Sequence, residues 1–362
     1  MSSSITAPAP AATSAHSAVT TVNYTICPIY VASHVALELG WLEEEIKKAG
    51  GSLRYLRSFP DNGHQPHFSH KLDNLFRDGG NIPSIWAKAD NTDTTLLGLT
   101  WFGGGGQILV RADSGIRNVA SLRGRKIGLS RSLNTGKVDW WRATSERGIQ
   151  LALALAGLDS AAVQITDIPH DDRHFTTAEA SLPQKPAEGW ARFRAQGVLG
   201  FVPEVHALAE GRVDAVYTNY GRAIALQRTG PFTVIEDLAR HPDWTLQVAN
   251  SPWALTVNTE FAREHPALVT AFVRASVRAG RWINANRDAA AAILQRVTYP
   301  PTVADAAQVI HNIDFVPSLS PRNLAAIEVE KNFLLSHGYI KRDFDVQAWA
   351  TPRFLEEAIH SL

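Results

Sequence analysis

The sequence predicts an α/β fold in two lobes, and three observations predict it. Strand-like and helix-like segments alternate from about residue 19 onward, the pattern of a largely parallel sheet covered by helices. The alternation restarts after Asp113, as a second sheet would. From Ala262 to the end nearly every segment is helical. Together these predict a tail over 1–22, a first lobe from 23–112 and 251–362, and an inserted second lobe over 113–250. Chain crossings are expected near 111–114 and 245–255.

Taken in order, "VTTVNYTIC" has the β-branched content of a strand, and "HVALELGWLEEEIKKAGG" is an amphipathic helix stopped by glycines. "SLRYLRS" reads as a strand, and 68–78 and 83–89 as helices. "TTLLGLTWF" and "GQILVRA" read as strands of the first lobe. "SLRGRKIGLS" ends in a strand, 136–157 is a helix carrying Trp140 and Trp141, and "AVQITDIP" is a strand. Residues 169–190, rich in His, Asp, Pro and Thr, read as a long loop. "PEVHALAEGRVDAVYTNYGRAIALQRTG" reads as helix, strand, helix, and "FTVIEDL" and "SPWALTVNTEF" as strands. Helices are expected over 265–296, 303–311, 321–336 and 346–360.

Composition narrows the partners. Thirty-five basic residues balance thirty-five acidic ones, so there is no cationic excess to engage nucleic acid or an anionic membrane. The opening 22 residues have neither a basic start nor a continuous apolar stretch, and no later run reaches the length that spans a bilayer. With one cysteine and no disulfide framework the chain fits a reducing compartment, so a cytoplasmic protein is expected, and a monomer is expected as its assembly state.

Cys27 is the one cysteine in 362 residues, so it serves either packing or reactivity. It ends a strand at the expected cleft and precedes Pro28, a position where ligands of open α/β sheets bind. That placement shifts the balance toward a reactive thiol, with an inert buried one still open. His64, His67 and His70 recur every three residues, a spacing that invites a metal. Pro66 interrupts that turn, and no thiolate or carboxylate accompanies the set at zinc spacing, so no metal or other cofactor is expected. An imidazole near a thiol would instead tune it or hydrogen-bond a substrate.

Arg77, followed by Gly79 and Gly80, can trap an anion. A planar guanidinium matches two oxygens, and glycine lets backbone N–H come close. The plainer reading is a solvated Arg77 at a helix end, paired with Asp73 or Asp78. "WFGGGGQ" (101–107) lacks the Gly-Lys-Ser/Thr ending of a phosphate loop and reads as a turn or pocket wall. "HDDRH" (170–174) reads as a solvated loop, and no hydrolase serine elbow is present. Trp86, Trp101, Trp140, Trp141, Phe201 and Tyr220 are aromatic candidates for an aryl-binding surface.

"SLRGRKIGLS" and "EGRVDAVYTNYGRAIALQRTG" resemble the nitrate/taurine/sulfonate-binding branch of the periplasmic-binding-protein fold. Cys27–Pro28, His67–Phe68, "RDGGNIP" (77–83), "LLGLTWFGGGGQILVRADS" and "AWATPRFLEEAI" extend the resemblance to an enzyme lineage on that fold. These are the aryl-sulfinate desulfinases of dibenzothiophene desulfurisation, and the resemblance runs from Tyr24 to Phe354. It implies a two-lobed type II fold with an interlobe cleft and a hydrolytic C–S cleavage that releases sulfite from an aryl sulfinate. It implies Cys27 and His67 as catalytic residues and Arg77 and Gly80 as sulfinate contacts; Gly79, His70, Trp101, Trp140 and Phe201 are further candidate substrate contacts read from the residues themselves. His70, Leu72 and Asp78 depart from the family's tyrosine, glutamine and aromatic residue. Asp78 beside Arg77 is therefore expected to weaken the trap. The alternative is a non-catalytic solute-binding protein for a sulfonate-like anion.

Overall fold

The computed structural model describes residues 19–59, 63–171, 183–195 and 202–362. Phe201, a candidate aryl contact, lies outside the described residues, as does half of the 169–190 segment, 172–182. Ten strands are described: β1 Thr20–Ile26, β2 Gly51–Tyr55, β3 Leu75–Gly79, β4 Thr94–Thr100, β5 Gln107–Arg111, β6 Lys126–Ser132, β7 Gln164–His170, β8 Ala215–Thr218, β9 Phe232–Asp237 and β10 Trp253–Asn258. They form two five-stranded sheets, ordered β2-β1-β3-β10-β4 and β7-β6-β8-β5-β9.

Each sheet is mixed rather than mostly parallel. The first three strands of each order run parallel, and the fourth is antiparallel to both of its neighbours. In both sheets that fourth strand, β10 or β5, is the one reached when the chain crosses from the other sheet. The first crossing was expected near 111–114, but "QILVR" pairs with β8 and β9 in the second sheet. The crossing is therefore the glycine run between Thr100 and Gln107, where Gly103 and Gly106 take positive φ of 69° and 93°. A strand's sheet is set by its non-local partners, which the pattern of one segment does not carry.

Three further expectations change. Residues 20–22, placed in the tail, begin β1, where they pair with 51–53. Residues 68–78 do not form a helix: a short helix covers His64–Ser69, and β3 follows. Residues 186–190, placed in the loop, open a helix, Pro186–Ala195. From Ala262 onward the chain is helical as expected, with helices at Pro266–Ala285, Arg287–Gln295, Val303–Ile310, Pro321–Ser336, Val346–Trp349 and Arg353–His360. No helix among the described residues is long and apolar enough to cross a membrane.

Strand alternation positions the site. Val22, Tyr24 and Ile26 of β1 and Phe76 of β3 join the core under Pro266–Ala285, where Phe76 stacks on Phe272 at 4.2 Å. The intervening residues, Thr25 and Arg77, therefore face the opposite side of the sheet, with Cys27 just beyond the end of β1. That side is covered by the His64–Ser69 helix and by Asn81–Trp86, which follows Gly80.

Candidate active site

The β1 and β3 ends come together because they are paired: Thr25 lies opposite Arg77 and Ile26 opposite Asp78, and Cys27 N–H donates to the Asp78 carbonyl at 2.9 Å. Gly79 then lies under the thiol, with no room for a side chain. A Cβ there would overlap Cys27 Sγ and press within 3.0 Å of the Arg77 guanidinium. Glycine at 79 is required by this close approach, not by a left-handed backbone.

His67 reaches the thiol from the short helix. Gly63 starts that helix in the left-handed region (φ 53°), and a Cβ there would meet the Leu56 carbonyl at 2.6 Å. Pro66 does not interrupt it. Pro66 is the third helical residue, where its missing N–H breaks no intrahelical bond. His67 N–H still closes on the Gly63 carbonyl at 3.1 Å. The imidazole Nδ1 is 2.8 Å from Thr25 Oγ1, and Nε2 is 3.5 Å from Cys27 Sγ. Burial holds the imidazole well below its ordinary pKa, and the Arg57 and Arg77 charges press the same way. His67 is therefore neutral at neutral pH.

Arg77 is 1% exposed and lies on a strand, not at a solvated helix end. Nε donates to the His67 carbonyl at 3.0 Å, Nη1 to the Gly80 carbonyl and to Ser84 Oγ at 2.8 Å each, and Nη2 to Cys27 Sγ at 3.4 Å. One of its five N–H groups remains. The expected two-pronged fork for an anion is thus mostly occupied by the protein. Arg77 ties the thiol, the histidine's backbone and the Gly80 turn into one unit.

Gly80 is in turn covered by the second crossing. A Cβ on it would overlap the Asn250 carboxamide, whose Oδ1 accepts from Ile82 N–H at 3.3 Å. Next to Asn250, Ser251 Oγ accepts from Phe102 N–H at 3.4 Å, so both crossings meet beside this turn. Asn81, fully buried, has no partner for either amide atom among the described residues.

Asp78 does not neutralise Arg77. It faces the other side of β3, where Ser33 Oγ donates to its Oδ2 at 2.6 Å. Burial raises its pKa to about 7, opposed by the Ser33 bond and by Arg77. His70 also leaves the thiol cluster. It ends the short helix in the left-handed region (φ 58°), and its Nε2 is 3.0 Å from Thr256 Oγ1 on β10. Burial lowers its pKa to about 3. His67 and His70 are therefore tied to different strands, β1 and β10.

The aromatic candidates fare differently. Trp101 packs against Trp244 (5.9 Å) and under the Arg322 guanidinium (4.0 Å), and Trp140 packs on Trp141 (5.6 Å) between two cores. Trp86 also packs against a core. The ring contacts of Trp101 and Trp140 are not with the thiol cluster. An aromatic wall that sequence reasoning missed lies at the crossings: Phe102 stacks on Trp253 at 4.8 Å and on Tyr30 at 5.8 Å. Thr25, Ser84, His34 and Asn250 were missed as well. His34 Nε2 is 2.8 Å from the Cys27 carbonyl, and burial holds its pKa near 4. These residues carry no motif, and only the fold brings them to the site.

No family model matches the chain. It is 29% identical over 369 residues to the 2'-hydroxybiphenyl-2-sulfinate desulfinase of Rhodococcus erythropolis, covering 94% of each, and matches the protein of that name from Rhodococcus qingshengii equally. Among solved structures it is similar to the desulfurization enzyme DszB (26% identity, TM-score 0.69, 94% of this chain and 99% of that one). It is also similar to a cysteine-to-serine mutant of DszB in complex with biphenyl-2-sulfinic acid (24%, TM-score 0.73, 95% and 100%). The periplasmic aliphatic sulphonate binding protein SsuA of Escherichia coli shares the fold (17%, TM-score 0.61, 90% of each). The chain has the periplasmic-binding-protein-like fold, and over nearly its whole length it is similar to the 2'-hydroxybiphenyl-2-sulfinate desulfinases.

Proposed function

We propose that this protein is a sulfinate desulfinase that converts an aromatic sulfinate and water into the arene and sulfite, without a cofactor. The observation that carries the reading is the contact of one thiol, Cys27, with both a neutral imidazole and a guanidinium. The sulfinate oxygens are taken by the remaining Arg77 N–H and by the backbone N–H at the Gly80 turn. The aryl ring lies against Phe102 and its stacked neighbours.

Cys27 acts as the acid. Its S–H proton moves to the ring carbon bearing sulfur, the C–S bond breaks, and sulfur dioxide leaves with the bonding pair returned to the ring. Water adds to the sulfur dioxide to form bisulfite, and the proton released restores the thiol. The chemistry balances with water alone. A neutral His67, held by Thr25, accepts from or orients the S–H without carrying a charge of its own. Attack by a thiolate on sulfur is the poorer route, because it brings two anions together beside one cation.

The solute-binding alternative rests on the shared fold and explains the anion trap, but leaves the Cys27–His67–Thr25 line without a task. The test is sulfite production from an aryl sulfinate by the intact chain.

A further inference from the structure

The helix Pro321–Ser336 places one carboxyl, Glu330, where the two crossings come together. The side chain is fully buried, and neither carboxyl oxygen completes a hydrogen bond among the described residues. Three elements close on it. From the helix Trp140–Leu155, which follows β6, comes Arg147, whose Nε lies 3.8 Å from Glu330 Oε2. From β8 comes Tyr217, whose hydroxyl donates to the Gly105 carbonyl of the first crossing at 3.1 Å. Burial, and after it the charge of Glu330, hold the Tyr217 phenol far above its ordinary pKa, so it stays neutral. From the second crossing comes the Asn250 backbone N–H, near enough to favour the charged carboxyl but not to complete a bond. On its own helix the neighbouring Lys331 turns away, to Glu328 (2.9 Å) and Asp343 (2.7 Å). Among the described residues Arg147 is therefore the one charged group acting on Glu330.

Arg147 has two acceptors to choose between. Its Nε donates to the Val248 carbonyl of the second crossing, and its guanidinium lies over the Phe333 ring at 5.3 Å. At 3.8 Å, Glu330 is too far for a hydrogen bond yet near enough to compete for the same cation. Two residues beyond Val248, Asn250 covers Gly80 and accepts from Ile82 N–H. The turn that carries the candidate sulfinate contacts is thus held through the second crossing, and the crossing through Arg147. Burial pushes the Glu330 pKa up to about 7, opposed by the Arg147 charge and the Asn250 N–H. A neutral carboxyl leaves Arg147 on the carbonyl. A carboxylate offers it a charge-assisted bond, roughly twice as strong as one to a neutral acceptor.

We propose that Glu330 is a positioning residue of the candidate active site. Its neutral carboxyl leaves Arg147 on Val248 and keeps Asn250 over the Gly80 turn, whereas its carboxylate draws Arg147 away and loosens that cover. This rests on the desulfinase reading and adds a regulation to the same site: sulfinate is held best while Glu330 carries its proton. Linkage runs both ways, so sulfinate binding favours the protonated carboxyl.

The experiment is calorimetric titration of the full-length Cys27→Ser chain with benzenesulfinate at pH 6 and at pH 8. The expected result is binding about fivefold tighter, or more, at pH 6. That ratio should fall to within about twofold when Glu330→Gln is added. Asp78 titrates in the same range, so Asp78→Asn is added in a separate chain, which should keep the ratio. His34, His67 and His70 stay neutral throughout. Equal affinities at the two pH values overturn the proposal, even if the Glu330→Gln chain fails to fold. So does a ratio that survives Glu330→Gln, which would leave Glu330 a packing role only, or one that vanishes with Asp78→Asn. Hydrogen exchange over residues 246–252 is measured on the same chains without ligand and corrected for the intrinsic effect of pH. Protection there should fall about fivefold from pH 6 to pH 8 and stay constant with Glu330→Gln; constant protection in both chains also overturns the proposal. Absence of benzenesulfinate binding at either pH would sink the desulfinase reading, while the exchange measurement would still decide on Glu330.

Discussion

Arg77 Nη2 donates to Cys27 Sγ across 3.4 Å, and this bond organises the site more than it frees a cation for the ligand. The other arginine contacts run to the His67 and Gly80 carbonyls and to Ser84. Removing Arg77 therefore does more than weaken substrate binding.

For Arg77→Ala we expect lower stability together with lost turnover, at about 1–3 kcal/mol for each buried carbonyl left without a donor. Arg77→Lys should not rescue, because one ammonium cannot reach four acceptors arranged around a planar fork. Urea unfolding and sulfite release, measured on the same preparations, check both parts. A raised KM with unchanged stability would show that the arginine serves the ligand alone.

Gly79→Ala tests the close approach under the thiol. The added methyl must displace Cys27 Sγ or Arg77, and a displacement of that size costs about 100-fold in rate. Secondary structure by circular dichroism should be unchanged, and activity near that of the parent would contradict the geometry.

Thr25→Val keeps the shape of the strand residue and removes the oxygen 2.8 Å from His67 Nδ1. Loss of one such bond is worth about 0.5–1.5 kcal/mol, so kcat should fall by up to about tenfold with KM little changed. A change in KM alone would place Thr25 against the substrate instead of behind the histidine.

Asp78 makes a prediction about pH. Its folded pKa is raised from 3.8 to about 7 by burial, so the folded state binds its proton more tightly than the unfolded chain. The stability this group contributes is fully present below about pH 4 and is lost as pH rises toward 7. Asp78→Asn removes that loss. Relative to the parent, the variant should gain about 1.4 kcal/mol per pH unit between pH 4 and 7, about 2 kcal/mol from pH 5 to 6.5. Urea unfolding at those two pH values measures it, and a difference that does not change with pH would mean Asp78 is ionised in the folded state.

Much of this was legible because periodicity reports burial. The strand "VTTVNYTIC" and the C-terminal helices follow from alternation and the 3.6-residue repeat. The segment 68–78 was not legible. "LFRDG" is a poor strand by propensity, with a charge pair and a glycine, yet it is buried along its length. Its arginine is satisfied by groups on three other elements, which no local rule supplies. The same holds for Asp78: a sequence neighbour of Arg77 reads as its partner, whereas strand alternation sends the two to opposite faces. Pro66 was read as a breaker because its position within the turn was unknown. Cys27, His67, Arg77 and Gly80 were legible through the spacing of a resemblance. Thr25, Ser84, Asn250 and the Tyr30–Phe102–Trp253 wall had no such marker.

If Cys27 supplies the proton that breaks a carbon–sulfur bond, its thiol is needed for turnover and not for binding. The intact chain and Cys27→Ser are each incubated with a panel of aryl sulfinates, sulfite is quantified, and sulfinate binding is titrated in parallel. Sulfite and the matching arene are expected from the intact chain. For Cys27→Ser we expect no detectable turnover and affinity within a few-fold, since a hydroxyl is nearly isosteric but a far weaker acid. Normal sulfinate binding by both proteins with no sulfite from either would rule out a desulfinase and make the chain a binding protein.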